Sequence, residues 1–222
     1  MNRRIPITIL AMLSASCRHA PSPQPATALG AAILKVSEDT IVGGVGVMPD
    51  QPLTVQVNDA DGNGIAGARV EFTDSAPGLT GADGQFSTRI RLGTNAGRYT
   101  ITATTHDKTG KSLQTTFTAI ALDYRQTLGR ELSEKHCARC HDPQSTAERV
   151  SNRDNLATQP HAFSDGAALN QISSANLIAI IAHGGTALGK SPEMPPYSPT
   201  LSTSEINALA ACIRAIANPP WR

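Results

Sequence analysis

Two cysteines and a histidine stand together in the sequence Cys137-Ala138-Arg139-Cys140-His141. On a helix this spacing places the two thiols about one turn apart, and the imidazole directly follows the second thiol. Two such thiols suit the two vinyl groups of haem, and the histidine is then held beneath the iron as an axial ligand. C-x-x-C-H is the attachment signature of haem c. The sequence therefore predicts one covalent haem, with thioether bonds to Cys137 and Cys140 and with His141 as the proximal iron ligand.

Three other kinds of site use a cysteine pair at this spacing, and each calls for a further feature. A redox-active C-x-x-C is expected in a thioredoxin-like βαβ context, which the flanking pattern does not show. A structural zinc site usually takes four ligands from two paired clusters, whereas no second pair follows Cys137, Cys140 and His141. A purely structural disulfide gives His141 no role. The residues favour haem attachment over these alternatives.

A six-coordinate electron-transfer haem needs a second axial ligand, and Met194 is the first candidate. It lies in the segment Ser191–Tyr197, where prolines on both sides of the methionine restrict the backbone to a non-helical loop. A thioether ligand favours ferrous iron and raises the reduction potential. The alternative is a gap-filling methionine in the core. His183 is the runner-up ligand, although a histidine at a helix end also complements the helix dipole. His136 and His161 have no supporting motif.

Three helices are predicted to position these ligands. The first spans 123–135, carries apolar residues one turn apart and leads straight into the cysteine motif. The second spans 174–183 and precedes the methionine loop. The third opens with Ser202 and Glu205 at the spacing of a capping box and continues with an apolar stripe.

The order of these parts from Asp123 to Ala217 resembles class I cytochrome c domains. The resemblance implies an all-α fold in which the first and last helices cross, and Gly129 matches the small residue at that crossing. Cys212 stands where the family commonly has an aromatic residue, so the crossing is expected to be loose unless a neighbour fills the space. Cys212 is predicted to be a buried free thiol; the alternative is a disulfide to an unlipidated Cys17.

Short runs of alternating apolar residues fill the region from Leu29 to Ala121, as in Leu53, Val55 and Val57. Such alternation predicts half-buried strands, and turn sequences such as Asp61-Gly62-Asn63-Gly64 separate them. About seven short strands with regular turns favour an antiparallel sandwich. The region resembles bacterial immunoglobulin-like domains of the invasin/intimin type (Big-1), through stretches such as Val57–Gly64 and Gly67–Phe72. The resemblance implies a spacer or adhesive module without catalytic activity.

The N-terminus has the pattern of an export signal. Arg3 and Arg4 precede a short apolar run, and small residues lead to Cys17. The small residues before this cysteine resemble the lipobox of bacterial lipoproteins, which implies lipidation of Cys17 and anchoring to a membrane. Residues 1–16 are thus predicted to be a signal peptide, and residues 17–28 a Pro-rich tether. The expected location is the periplasm, or the outer membrane of a bacterium through the lipid.

Composition narrows the function further. The 222 residues carry 19 Lys and Arg against 18 Asp and Glu, and this balance argues against a nucleic-acid partner. The predicted fold class is multidomain, with an antiparallel immunoglobulin-like β-sandwich at 29–121 followed by an all-α cytochrome c domain at 122–222. The predicted function is that of a monohaem electron carrier in the cell envelope, which meets redox partner proteins and is not itself an enzyme. The alternatives are a haem-based ligand-binding or sensory module, and an adhesion or docking protein with an accessory cytochrome.

Overall fold

The computed structural model describes residues 29–142 and 149–221. The first part, up to residue 122, is β-rich and is called the β-rich part below. Its strands are β1 (Ala32–Lys35), β2 (Thr40–Gly44), β3 (Leu53–Asn58), β4 (Arg69–Phe72), β5 (Gly78–Leu79), β6 (Gln85–Thr88), β7 (Gly97–His106) and β8 (Ser112–Leu122). They form a three-stranded sheet of order β1-β3-β6 and a five-stranded sheet of order β2-β8-β7-β4-β5.

The alternation in the sequence decides which side chains form the core of this part. Leu53, Val55 and Val57 of β3 are 0% exposed. They pack in one apolar cluster with side chains from the other sheet, such as Phe72 of β4 and Phe117 of β8. Successive side chains on a strand point to opposite faces, so every second residue of β3 reaches this core. The strand predicted from the alternation of Leu53, Val55 and Val57 is confirmed.

The second part, from residue 123 onward, is the helical part. Its α-helices are α1 (Tyr124–His136), α2 (Ala138–His141), α3 (Gly166–Leu169), α4 (Ser174–His183) and α5 (Thr203–Ile216), with 3-10 turns at Arg153–Asn155 and Gly185–Leu188. Helix α5 begins with the predicted capping box, in which the Ser202 and Glu205 side chains each bond the other residue's backbone N–H. The three long helices are confirmed close to their predicted bounds.

Helices α1 and α5 cross at Gly129, as the cytochrome resemblance implied. A Cβ atom added to Gly129 would lie 2.0 Å from the Ala208 carbonyl oxygen and 2.8 Å from the Cys212 Cβ. Only a residue without a side chain allows this approach of the two backbones. Cys212 is 1% exposed and a free thiol, as predicted.

The predicted fold class was wrong in both halves. The β-rich part is not purely antiparallel, because β2 pairs with β8 in parallel. Alternation shows which face a side chain takes and is the same for either strand direction, so it could not reveal this pairing. Over residues 123–142 and 149–221, the C-terminal part is a small helical region with five α-helices, but it is not an all-α domain. Less than half of its described residues are in α-helices, and Asp165 forms a β-bridge with Asn218.

No helix within the described ranges is long and apolar enough to cross a membrane. The predicted signal peptide, the Pro-rich tether and Cys17 all lie outside the described residues.

Candidate haem site

The cysteine motif occupies the corner between α1 and α2. Cys137 ends α1, and its carbonyl oxygen accepts hydrogen bonds from the backbone N–H groups of Cys140, at 3.0 Å, and His141, at 2.9 Å. This single turn brings the two cysteines to the same side of the backbone, since residues three apart are neighbours on a helix. The two cysteines therefore hold neighbouring positions on one turn, an arrangement compatible with two thioether bonds to one haem.

Both cysteines are free thiols, but their surroundings differ. Cys137 is 7% exposed and belongs to the apolar core of the helical part, whereas Cys140 is half-buried. Burial raises the pKa of the Cys137 thiol to about 12, so it carries its proton at neutral pH. The pair thus has one sulfur inside the core and one at its edge.

The His141 ring is oriented by two contacts. Its Nδ1 lies 2.8 Å from the carbonyl oxygen of His161, and its ring stacks on Phe163 with the centroids 4.6 Å apart. A carbonyl only accepts hydrogen bonds, so Nδ1 must carry the proton, and Nε2 of the neutral ring keeps its lone pair. Burial also lowers the pKa of His141, which favours the neutral ring. This tautomer can bind a metal through Nε2.

His161 is itself held in place, which makes its carbonyl a fixed acceptor. Its ring Nδ1 lies 3.0 Å from an oxygen of Asp165. The other oxygen of Asp165 accepts from the Ala168 backbone at the start of α3, and that bond is the main cause of the lowered pKa of this carboxyl. The sequence offered His161 only as an unsupported rival ligand. The structure shows instead that its backbone oxygen contacts the predicted ligand His141.

Met194 lies in a loop that is fastened to the end of α4. The Met194 carbonyl accepts from the Gly185 backbone at 3.0 Å. Side chains at the glycine pair would block this contact, since a Cβ on Gly184 would lie 2.8 Å from the Met194 oxygen and one on Gly185 would lie 2.1 Å from the Ser191 oxygen. The Glu193 carboxylate accepts from two backbone N–H groups of the 157–158 segment, at 3.3 and 3.4 Å. The loop thus has several anchors.

Tyr197 connects this loop to the cysteine motif. Its hydroxyl donates to the His136 carbonyl at 2.7 Å, its ring meets the His136 ring edge-on, and its backbone N–H donates to Ile181. His136 directly precedes Cys137, so the structure brings the methionine loop to the end of α1. His183, the runner-up ligand, ends α4 with an exposed side chain. The choice between Met194 and His183 stays a prediction. Sequence reasoning gave no role to Tyr197, Glu193 or Phe163, and no short motif marks them.

We expect Tyr197→Phe to loosen the methionine loop while leaving the apolar ring in place. Loss of the bond to His136 should lower the free energy of unfolding by about 1 kcal/mol, measured by urea denaturation, and it should lower the reduction potential of the haem-loaded chain. Tyr99→Phe is the matched control, because Tyr99 donates its hydroxyl to the Asn95 carbonyl in the β-rich part. An equal change of potential in both variants would contradict the role given to Tyr197.

The zinc alternative for Cys137 and Cys140 receives no support. Within residues 29–142 and 149–221, no three His, Cys, Asp or Glu side chains lie close enough together to hold a metal ion. A haem is different, because it needs from the protein two thiols, one oriented imidazole and apolar walls rather than a cluster of ligands. The described residues supply the two free thiols and the oriented imidazole, which are the groups that the motif assigns to haem attachment.

Comparison with known families points to the same cofactor. Residues 125–213 match the family model described as cytochrome c oxidase, cbb3-type, subunit III. The matched range begins in α1, contains the cysteine motif and Met194, and ends in α5. No curated protein matches the chain. Together with the oriented His141 and the two free thiols, the match supports a c-type cytochrome domain in the helical part of this chain, with covalently bound haem c and a role in electron transfer.

Proposed function

We propose that the protein is an exported monohaem cytochrome c that carries single electrons in the cell envelope and is not itself an enzyme. The observation that carries this proposal is the bond from His141 Nδ1 to the His161 carbonyl. It favours the tautomer in which Nε2 is free to bind iron, and His141 directly follows two cysteines that have the spacing of the attachment motif. The family match over residues 125–213 supports the same role.

Each residue of the site has a separate task in this proposal. Cys137 and Cys140 would hold the haem covalently, His141 would bind the iron as the proximal ligand, and Met194 would bind it as the distal ligand. When bound, the haem supplies a one-electron Fe(III)/Fe(II) couple. The chain tunes that couple through the axial ligands, the burial of the site and nearby hydrogen bonds. The β-rich part serves as a spacer or docking module that separates the haem site from the membrane.

Visible absorption tests this function against a ligand-binding or sensory module. The reduced, haem-loaded protein should show a six-coordinate spectrum that carbon monoxide changes only slowly, because Met194 occupies the distal position. Rapid binding of carbon monoxide to the native reduced form would overturn the electron-carrier proposal and favour the sensory alternative.

The number of haems is measured as the iron and haem content per chain, and we expect one haem per chain.

Substitution of each candidate distal ligand distinguishes Met194 from His183. Met194→Ala should lower the reduction potential by on the order of 100 mV or more, because the thioether that favours ferrous iron is removed. His183→Ala should leave the potential near that of the parent, and redox titration measures both. The opposite pattern would assign the distal position to His183.

The location within the envelope rests on Cys17. We propose that Cys17 is lipidated and that the Pro-rich tether joins it to the β-rich part. The parent chain should then sediment with membranes. The Cys17→Ser variant should instead be found in the soluble fraction if its signal peptide is removed. If the signal peptide is retained, the variant should stay with membranes as a precursor of larger mass. If the processed variant, which lacks the lipid, sediments with membranes in the same amount as the parent, the lipid is not the anchor.

A further inference from the structure

The end of β8 covers the place where α1 and α5 cross. Ile120 and Leu122 of β8 are 2% and 0% exposed, and they form an apolar cluster with Cys212 of α5. Val42 of β2 packs against the same cluster. The cluster therefore lies between the β-rich part and the helical part, and it provides the neighbour that the small Cys212 side chain needs.

Two arginines cross this boundary in opposite directions. Arg98 of β7 donates through Nη2 to the carbonyl oxygens of Ala215, at 3.0 Å, and Ala217. The last carbonyls of a helix have no partner within the helix, and a cation at that end also complements the helix dipole. Arg130 of α1 donates to the Val42 carbonyl of β2 and pairs with Glu134 at 2.9 Å. Each part thus satisfies backbone carbonyls of the other.

The chain passes from one part to the other without a linker. β8 ends at Leu122, Asp123 is the N-cap residue, and α1 begins at Tyr124. Asp123 and Gln126 form a capping box, in which each side chain bonds the other residue's backbone N–H. Any rotation of one part against the other would break this box or the end of the β8 pairing. Linkers that allow such movement are usually several flexible residues long.

We propose that the β-rich part and the helical part are one cooperative folding unit. In this unit the end of β8 completes the core where α1 and α5 cross, and Arg98 satisfies the carbonyls at the C-terminus of α5. The β-rich part then does more than separate the site from the membrane. It holds α1, and therefore the cysteine motif that directly follows α1, at one fixed orientation. This inference goes beyond the proposed electron-transfer function and does not depend on it.

Hydrogen exchange of the full chain, resolved by peptide mass spectrometry, tests the coupling. Leu53→Ala removes a side chain from the core of the β-rich part, in an apolar cluster whose members all belong to that part. If the two parts unfold together, the slowest amides of α5 should lose protection by about the same factor as those of β3, roughly 100-fold. Leu79→Ala is the matched control, because Leu79 is 50% exposed, and it should change neither. Loss of protection confined to the β-rich part would overturn the proposal.

A second pair of variants tests the boundary itself and covers the case in which Leu53→Ala fails to fold. Arg98→Gln removes the bonds to the end of α5, and it should reduce the protection of the slowest amides in both parts about 10-fold. Arg91→Gln is the matched variant, since Arg91 also donates to a backbone carbonyl, that of Gly46, but within the β-rich part. In one cooperative unit each variant should change the protection of the slowest amides by the same factor in β3 and in α5. A loss of protection that Arg98→Gln confines to α5, or that Arg91→Gln confines to the β-rich part, would overturn the proposal.

Discussion

Replacement of Cys137 and Cys140 together by alanine is expected to abolish covalent haem in the purified protein. The two sulfur atoms sit on one turn between α1 and α2, directly before the oriented ring of His141. No other cysteine of the described chain lies at this corner, because Cys212 is buried near the middle of α5 against Gly129. Without both thiols, only the axial ligands and apolar contacts would hold a haem, and it should be lost on denaturation.

Intact mass and haem staining on a denaturing gel measure this effect. The double variant should carry no covalent haem, whereas each single variant should keep at most one thioether bond and a reduced haem content. Cys212→Ala is the matched control, because it also removes a buried free thiol from the helical part and should keep the full covalent haem content. Normal covalent haem in the double variant would disprove the site assignment.

The second large effect is expected at the helix crossing. Gly129→Ala should destabilise the chain, although alanine is normally the better helix former by about 1 kcal/mol. The new Cβ would meet the Ala208 carbonyl oxygen at 2.0 Å and its carbon at 2.5 Å. These are backbone atoms, so no side-chain rotation relieves the clash and the two helices must separate. We expect a net loss of about 2 kcal/mol or more in the free energy of unfolding.

Thermal unfolding measures whether Gly129→Ala destabilises the chain, and we expect Tm to fall by about 4–8 °C. Glu131→Ala in the same helix is the control, since Glu131 is exposed and its replacement tests helix propensity without the crossing. A Tm for Gly129→Ala at or above that of the parent would mean that α1 and α5 do not cross as closely as described.

Local patterns in the sequence predicted much of the helical part. Ser202 and Glu205 are three residues apart, and a capping box involves only those two residues and their own backbone, so its formation needs no distant partner. The cysteine motif is local in the same way, because one helical turn sets the separation of Cys137 and Cys140. The positions of strands also followed from the sequence, because alternation involves only neighbouring residues of one segment.

The predictions that were wrong concern pairings between distant residues. The parallel contact of β2 with β8 joins segments more than 70 residues apart, and alternation within each strand carries no information about direction. The helical part is not an all-α domain, because long loops connect its helices. These loops bring the His161 carbonyl to the His141 ring and the Tyr197 hydroxyl to the His136 carbonyl. A backbone carbonyl such as that of His161 exists at every residue, so no residue type could have marked it.

The sequence by itself determined the chemistry of this protein, which consists of two thiols and an imidazole at the spacing for haem attachment, with a methionine between prolines as the distal candidate. Only the tertiary structure decided which tautomer of His141 is held, what anchors the methionine loop, and why a residue as small as Cys212 suffices at the helix crossing. The last point depends on Ile120 and Leu122, which reach Cys212 only through folding of the β-rich part against α5. Spacing along a helix is set by covalent geometry, whereas contacts between distant segments depend on how all the surfaces pack at once.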